Sequence, residues 1–349
     1  MSVVLLAVGC TSTESDGGAE AASSGSSPRI VRLAFYAHYA PVSSSLDSRP
    51  GTAGFDTHVG YEADLLSAVE AMPGIDMTFE RHGVDAWDGI WLLPTAEGID
   101  MACGGITIAA DRTRGPDGQA VRFTDGHIEF RQSLLVRAGD ADRLSSYSAL
   151  DGSDRVGVQT ATTGESRLLQ LIGVADQDGR LADGTRVVID AADGSGAEPV
   201  VEATAGNDLW ISPGGSSDEL ASRLRLIPAD PAKPKVVNLD RLPEADLRTE
   251  DSSETQLEAL RNGTVDAIAQ GIVETAATAA AYGDEFVVSV VDRHIETGGC
   301  TVAADDTDLA DRINLALGYL TDDGSIGFED WASNPNVFAQ RAAEGDSLG

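Results

Sequence analysis

Residues 98–115 read GIDMACGGITIAADRTRG. The stretch starts as an apolar run, breaks into the adjacent glycines Gly104 and Gly105, and continues through Thr107 to the Asp111–Arg112 pair. A strand that ends in bare backbone lets a bound molecule touch the main chain, because no β-carbon stands in the way. Thr107 adds a hydroxyl and a backbone N–H, and Arg112 adds a planar fork that matches a carboxylate. The stretch therefore predicts a strand followed by a binding loop, with Gly104, Gly105, Thr107 and Arg112 as candidate ligand-binding residues. Outside such a loop Arg112 would read as a solvated surface residue.

The segments on either side extend this pattern. RIVRLAFYAHYAPV (29–42) alternates as a strand entering a loop does, and GYEADLLSAVEAM (60–72) sets Tyr61, Leu65, Leu66, Val69 and Met72 at helical spacing. DMTFERHG (76–83) reads as a strand and WDGIWLLPTAEG (87–98) as a helix with a proline in or near it. The order βαβαβ implies a parallel sheet with helices on its faces, and ligands on such sheets sit beyond the carboxyl ends of the strands. Further on, QSLLVR (132–137) is a strand, and DRVGVQTATTGESRLLQLIG (154–173) is strand, loop and helix. TQLEALRNGTVDAIAQG (255–271) is helix, turn and strand, FVVSVVD and GGCTVAADD are strands, and one or two helices follow to the C-terminus.

This order fits an α/β fold of two lobes joined by two hinge strands, expected near 132–137 and 298–304. Lobe 1 would span 30–137 and 298–349, and lobe 2 would span 138–297. Residues of about 174–234 fit neither pattern and are read as an insertion in the second lobe, without repeat or metal spacing.

The composition excludes several functions. The 349 residues carry 24 basic and 57 acidic side chains, a formal charge of −33. Such a chain has no basic face for nucleic acid. No apolar run reaches the 18 residues that suggest a membrane-spanning helix. Strong acidity with only two lysines, Lys233 and Lys235, leads to the expectation of a protein that works in high salt. The five histidines lie far apart and the cysteines, Cys10, Cys103 and Cys300, lack CxxC spacing, so neither metal nor cofactor is expected. Cys103 and Cys300 could pair in an oxidising compartment, but sequence does not bring them together; two separate buried thiols are expected. SVVLLAVGC (2–10) is a short apolar stretch ending in small residues and a cysteine, followed by a Ser/Gly/Ala/Glu segment too polar to fold. It is similar to a lipoprotein signal, with Cys10 as the lipid-bearing residue and residues 1–29 as signal and tether.

These motifs, taken in order, resemble the polar-amino-acid group, family 3, of extracellular solute-binding proteins that feed ABC importers. Gly60, Tyr61, Glu62, Ala63, Asp64 and Leu65 follow the family signature. WDGIWLLPTAEGIDMACGGITIAADR, VRFTDGHIEFRQSLLVR, VGVQTATTGES and LEALRNGTVDAI resemble its later segments. The resemblance implies a periplasmic-binding-protein-like fold, no enzymatic activity, an extracytoplasmic location and a monomer. It also implies a small carboxylate or amino-acid-like ligand and a permease partner. It puts Tyr39 and Trp87 around the ligand's side chain, with Tyr36 and His38 as weaker candidates, and it sets the 104–112 loop opposite Thr162 and Thr163. Thr162 and Glu165 have the spacing of a capping box, which makes Thr163 part of a helix N-terminus that favours an anion. Gln270 and Gly271 close the site. In the family an acid usually stands where this chain has Gly271 and holds the ligand's ammonium. Either Glu274 substitutes, or the ligand is no standard α-amino acid. Two other readings compete: a prephenate- or arogenate-type dehydratase on the same fold, and a ligand-sensing module.

Overall fold

The computed structural model describes residues 28–115, 117–159, 161–176, 181–189, 198–202, 223–233, 237–242 and 252–345. Cys10 and the expected signal and tether up to residue 27 lie outside them. Among the described residues no helix is long and apolar enough to cross a membrane.

The first half of the chain forms β1 (Arg29–Tyr36), β2 (His38–Tyr39), β3 (Ser43–Ser45), β4 (His58–Val59), α1 (Tyr61–Ala71), β5 (Met77–Val84), β6 (Met101–Cys103) and β7 (Val121–Phe123). β1 pairs in parallel with both β5 and β6, as the βαβαβ order requires. The sheet order is β5-β1-β6-β18-β7, with β18 (Thr301–Ala303) returning antiparallel to both β6 and β7. The interior of β1 is shielded on both faces, so Val31, Leu33, Ala34 and Phe35 are fully buried.

Helix α1 buries Tyr61, Leu65, Leu66 and Val69, and Met72 follows into the core. It packs against the C-terminal helices α5 (Thr307–Leu320), α6 (Phe328–Ser333) and α7 (Val337–Glu344). The Tyr61 ring is the hub: the Phe328, Trp331 and Phe338 rings lie 5.5–5.7 Å from it. Trp331 adds a hydrogen bond from Nε1 to Asp64 at 2.8 Å. The expected helix at 87–98 is instead a 3-10 segment, Ile90–Thr95. Pro94 lies inside it and provides no N–H for an α-helical ladder.

Two strands, β8 (Ile128–Phe130) and β17 (Glu296–Gly298), pair antiparallel in a ribbon of their own between the two large sheets. The chain crosses there. β9 (Gln132–Arg137), expected as a hinge strand, belongs to the second sheet, and Thr301–Ala303 belongs to the first. The crossing therefore lies at 128–130 and 296–298, while Gln132–Val136 are buried within the second sheet.

The second sheet runs β12-β11-β13-β14-β10-β15-β9-β16. Its parallel centre is β14 (Val237–Leu242), β10 (Arg155–Gln159) and β15 (Ala267–Gly271), flanked by antiparallel β9 and β16 (Phe286–Val291). The unassigned segment supplies β11 (Arg186–Ile189), β12 (Glu198–Glu202) and β13 (Arg223–Ile227), added antiparallel beyond β14. Helices α2 (Thr163–Leu171), α3 (Ser252–Arg261) and α4 (Ile272–Ala281) complete this part of the chain.

Cys103 and Cys300 form a disulfide, with Cα atoms 4.5 Å apart. This corrects the expectation of two separate thiols. β6 and the residue before β18 are neighbours in the first sheet, although 197 positions separate them in sequence. The bond closes a loop that contains the whole second sheet.

Candidate functional site

The loops after β1, β6, β10 and β15, together with the starts of α2 and α4, converge on one cleft. Its lining includes Tyr36, Tyr39, Trp87, Gly105, Thr107, Thr162, Thr163, Gln270 and Gly271, around an open space of about 60 Å³. Phe130, Gln132, Gln159, Gly164 and Glu274 line it as well.

On the first wall, Gly104 and Gly105 both have left-handed backbone, with φ of 142° and 70°. The bare face of each is filled by the protein itself. A β-carbon on Gly104 would stand 2.5 Å from Tyr36 Cβ, and one on Gly105 would stand 2.5 Å from the Tyr39 ring. The glycine pair thus seats two tyrosines, and Gly105 retains a place on the cleft wall. The loop is held from below. Buried Glu62 Oε1 accepts from the Gly105 N–H at 3.0 Å and lies 3.0 Å from His127 Nε2. Ile108 N–H donates to Thr297 O at 2.8 Å, and Gly299 N–H donates to Ile106 O at 2.9 Å. The binding loop is therefore bonded to the hinge region itself.

Arg112 is buried and does not stand free in the cleft. Its guanidinium lies 5.4 Å from the Trp87 ring and 4.9 Å from the Trp91 ring. Nη2 donates to Ala161 O at 3.1 Å and Nη1 donates to Thr107 O at 3.4 Å. Trp87 Nε1 donates to the same Ala161 carbonyl at 3.1 Å. Burial pulls the Arg112 pKa below its ordinary value, offset by Asp111 and Glu296. His38 pairs with Asp85 at 2.8 Å and is not among the cleft residues.

On the second wall, Thr162 caps α2 as its spacing predicts, its hydroxyl accepting from the Glu165 N–H. The return bond of the box goes one residue earlier: Glu165 Oε2 accepts from the Ala161 N–H at 3.1 Å. Ala161 takes a left-handed φ of 69°, uncommon for alanine. That bend aims its carbonyl at Arg112 and Trp87 of the opposite lobe. Thr163 and Gly164 head the helix, where backbone N–H groups lack helical partners and the dipole favours negative charge. Thr107 Oγ1 faces Thr163 Oγ1 across the cleft at 3.4 Å.

A polar relay crosses the floor. Gln132 Nε2 donates to Thr163 Oγ1 at 3.0 Å and to Glu296 Oε2 at 2.7 Å. Burial raises the Glu296 carboxyl, opposed by its bonds to Gln132 and Thr163. Gln132 escaped sequence reasoning because the first residue of an apolar strand carries no distinguishing pattern.

Glu274 lies in the first turn of α4, three residues after Gly271. A β-carbon on Gly271 would stand 3.1 Å from Glu274 Oε2 and 3.6 Å from the Tyr39 hydroxyl. The Glu274 carboxylate therefore occupies the ground beside the missing side chain. Burial pushes its carboxyl up to about 8, against a hydrogen bond with Gln270.

One trio, Glu62, His127 and Cys300, brings its donor atoms within 4.8 Å. The Cys300 sulfur is committed to the disulfide, and Glu62 Oε1 is bonded to Gly105 and paired with His127 Nε2, so this trio does not offer three free donors to a metal.

Residues 31–328 match the family model described as bacterial extracellular solute-binding proteins, family 3. The "Probable histidine-binding protein" of Neisseria gonorrhoeae is 28% identical over 196 residues, or 56% of this chain; the chain spans 66% of that relative's length. Among solved structures, an ancestral arginine-binding protein bound to arginine superposes with a TM-score of 0.53 at 18% identity. The match covers 93% of this chain and 100% of the other. An ancestral amino acid-binding protein, a precursor of cyclohexadienyl dehydratase, gives 0.53 at 18% identity over 87% of this chain and 94% of its own. At this identity the two structures bear on the fold.

Proposed function

The chain belongs to the bacterial extracellular solute-binding proteins, family 3, and from that premise we propose that it captures a single amino acid between its lobes and delivers it to an ABC transporter permease. The observation that carries this reading is a cleft walled by both lobes, with a helix N-terminus on one side and aromatic rings on the other. The α2 N-terminus takes the ligand's carboxylate through backbone N–H groups and the Thr163 hydroxyl. Arg112 adds positive potential from behind the wall while its guanidinium holds the Ala161 carbonyl. Tyr39, Tyr36, Trp87 and Phe130 enclose the ligand's side chain. The histidine- and arginine-binding names of relatives support an amino-acid ligand.

In this reading Cys10 carries a lipid that holds the protein on the outer face of a membrane, as a monomer. The charge of −33 suits a surface solvated in high salt. Thermal unfolding in molar salt with each of the twenty L-amino acids tests the function. A ligand at a hundred times its Kd stabilises the folded form by about 2.7 kcal/mol, so at least one amino acid is expected to raise Tm by several degrees. No shift with any of them at 10 mM contradicts the reading.

A further inference from the structure

The cleft floor is rich in acid and poor in free cations. Tyr39 stands among Glu274, Glu62 and Glu296, and together with burial they raise its pKa well above the ordinary value. Arg112, a cation beside the site, lies against the Trp87 and Trp91 rings and is bonded to Ala161 O. Glu62 is committed to Gly105 and His127, and Glu296 to Gln132. Glu274 differs from both: its side chain lies on the cleft wall, and its hydrogen-bonding neighbour is the neutral amide of Gln270.

Resting on the amino-acid reading above, we propose that Glu274 is the specificity-determining residue of the site and takes a ligand's cationic nitrogen in exchange for its own proton. The Gly271 position makes this geometry available, because its bare Cα leaves room for a carboxylate that arrives from one helical turn further on. The exchange balances simply. The carboxylic O–H bond breaks, the proton leaves to solvent, and the resulting carboxylate pairs with the incoming ammonium. A zwitterionic ligand brings no net charge, so the cleft ends one unit more negative, with the ligand's carboxylate at the α2 N-terminus. A buried carboxylate without a cation is costly, and a buried ammonium without an acid equally so; each removes the other's penalty.

The surroundings leave Glu274 as the group that changes charge. α4 packs on β9, β15 and β16. β16 holds no ionisable side chain, and Asp292 just beyond it pairs with Arg167 at 2.5 Å. Asp266, before β15, pairs with Arg137 at 2.9 Å. Arg131, before β9, is exposed and acts on α4 through its carbonyl, which accepts from the Ile272 N–H. Tyr39 stays neutral over the working range. Since burial pushes the empty-site carboxyl up to about 8, its protonated form predominates at pH 7. Affinity for an ammonium-bearing ligand then rises by up to about tenfold per pH unit from pH 6 toward 8 and levels off above.

The test is calorimetry at pH 7 with the twenty L-amino acids and their deaminated analogues, each in phosphate and in Tris. The two buffers differ in ionisation enthalpy, so the difference in heat counts protons. Binding of an amino acid with release of most of one proton, absent for the deaminated analogue and absent in Glu274→Gln, is the expected result. Binding with no proton released in the unmutated protein overturns the exchange and leaves the function intact. No binding by any amino acid overturns both. Glu274→Gln keeps the shape of the side chain, and its unchanged Tm in the presence of a bound deaminated analogue separates lost selectivity from lost folding.

Discussion

The two walls of the cleft are built from the same kind of element, a loop leaving the carboxyl end of a sheet, yet their polar groups are used differently. On the first wall they are already paired within the protein. Arg112 serves Ala161 and Thr107, Glu62 serves Gly105 and His127, and the glycine pair seats Tyr36 and Tyr39. On the second wall the head of α2 faces inward, and among the described residues Glu274 has the amide of Gln270 and no cation against it. A wall whose donors and acceptors are spent on one another is rigid and shaped. A wall with charge and dipole still to satisfy discriminates between ligands. Under the proposed function, shape and closure fall to the first lobe and chemical choice to the second.

The largest effect expected from breaking this division is on the first lobe's stability. Replacing Cys103 and Cys300 by serine frees a loop with a sequence separation of 197. Loss of a native disulfide costs about 2–5 kcal/mol. Denaturant unfolding of the double variant should show that loss, while calorimetric affinity at 25 °C should change little, since Glu274 and the α2 N-terminus lie in the other lobe.

Arg112→Ala comes next. It removes two hydrogen bonds from a charged donor and the contacts with Trp87 and Trp91. Hydrogen bonds to charged groups contribute about 1.5–3 kcal/mol. Calorimetry should find all ligands weakened together by on the order of tenfold to a hundredfold, because closure of the lobes is what suffers. An effect under threefold means that the Ala161 latch does not support the closed form.

Thr162→Ala acts on the second wall by uncapping α2. The cost expected for an N-cap is about 1 kcal/mol, read from thermal unfolding, with affinity for carboxylate ligands falling in parallel.

A further effect, seen without ligand, is a pH dependence of stability. The Glu274 carboxyl has its folded pKa raised to about 8 from an ordinary 4.5. Between those values the folded state holds a proton that the unfolded state has lost, so its contribution to stability is full below 4.5 and is lost as pH rises toward 8. His58 acts on the acid side. Burial, with Arg81, lowers its pKa from 6.5 to about 3, so its contribution is lost as pH falls below 6.5. Urea titrations from pH 4 to 9 should flatten on the alkaline limb in Glu274→Gln and on the acid limb in His58→Phe.

The sequence was legible where a local rule decides the structure. Helix α1 followed from apolar spacing, the Thr162 cap from its spacing to Glu165, and the loop at 104–112 from two glycines that end a strand. Legibility failed where the deciding contact is distant or directional. Nothing local brings Cys103 to Cys300, because the whole second sheet lies between them. The segment of about 174–234 hid strands because glycine and aspartate interrupt its apolar runs, whereas its pairing to β14 is a tertiary contact. Gly271 and Glu274 stood out by residue type, but three positions turn a side chain through most of a helical turn. Only the backbone at the β15–α4 junction brings that carboxyl beside the bare Cα. The Glu62–His127 pair was half visible: the acid sits in a recognisable run, and its partner comes from 65 residues away.

The central claim, that the second lobe selects the ligand and the first lobe closes on it, is tested most directly by a ratio. Calorimetry at pH 7 gives the Kd of an L-amino acid and of its deaminated analogue for the unmutated protein, for Arg112→Ala and for Glu274→Gln. The account predicts that Arg112→Ala weakens both ligands and keeps their ratio, while Glu274→Gln brings the ratio close to one. A ratio that survives in Glu274→Gln and collapses in Arg112→Ala would contradict it.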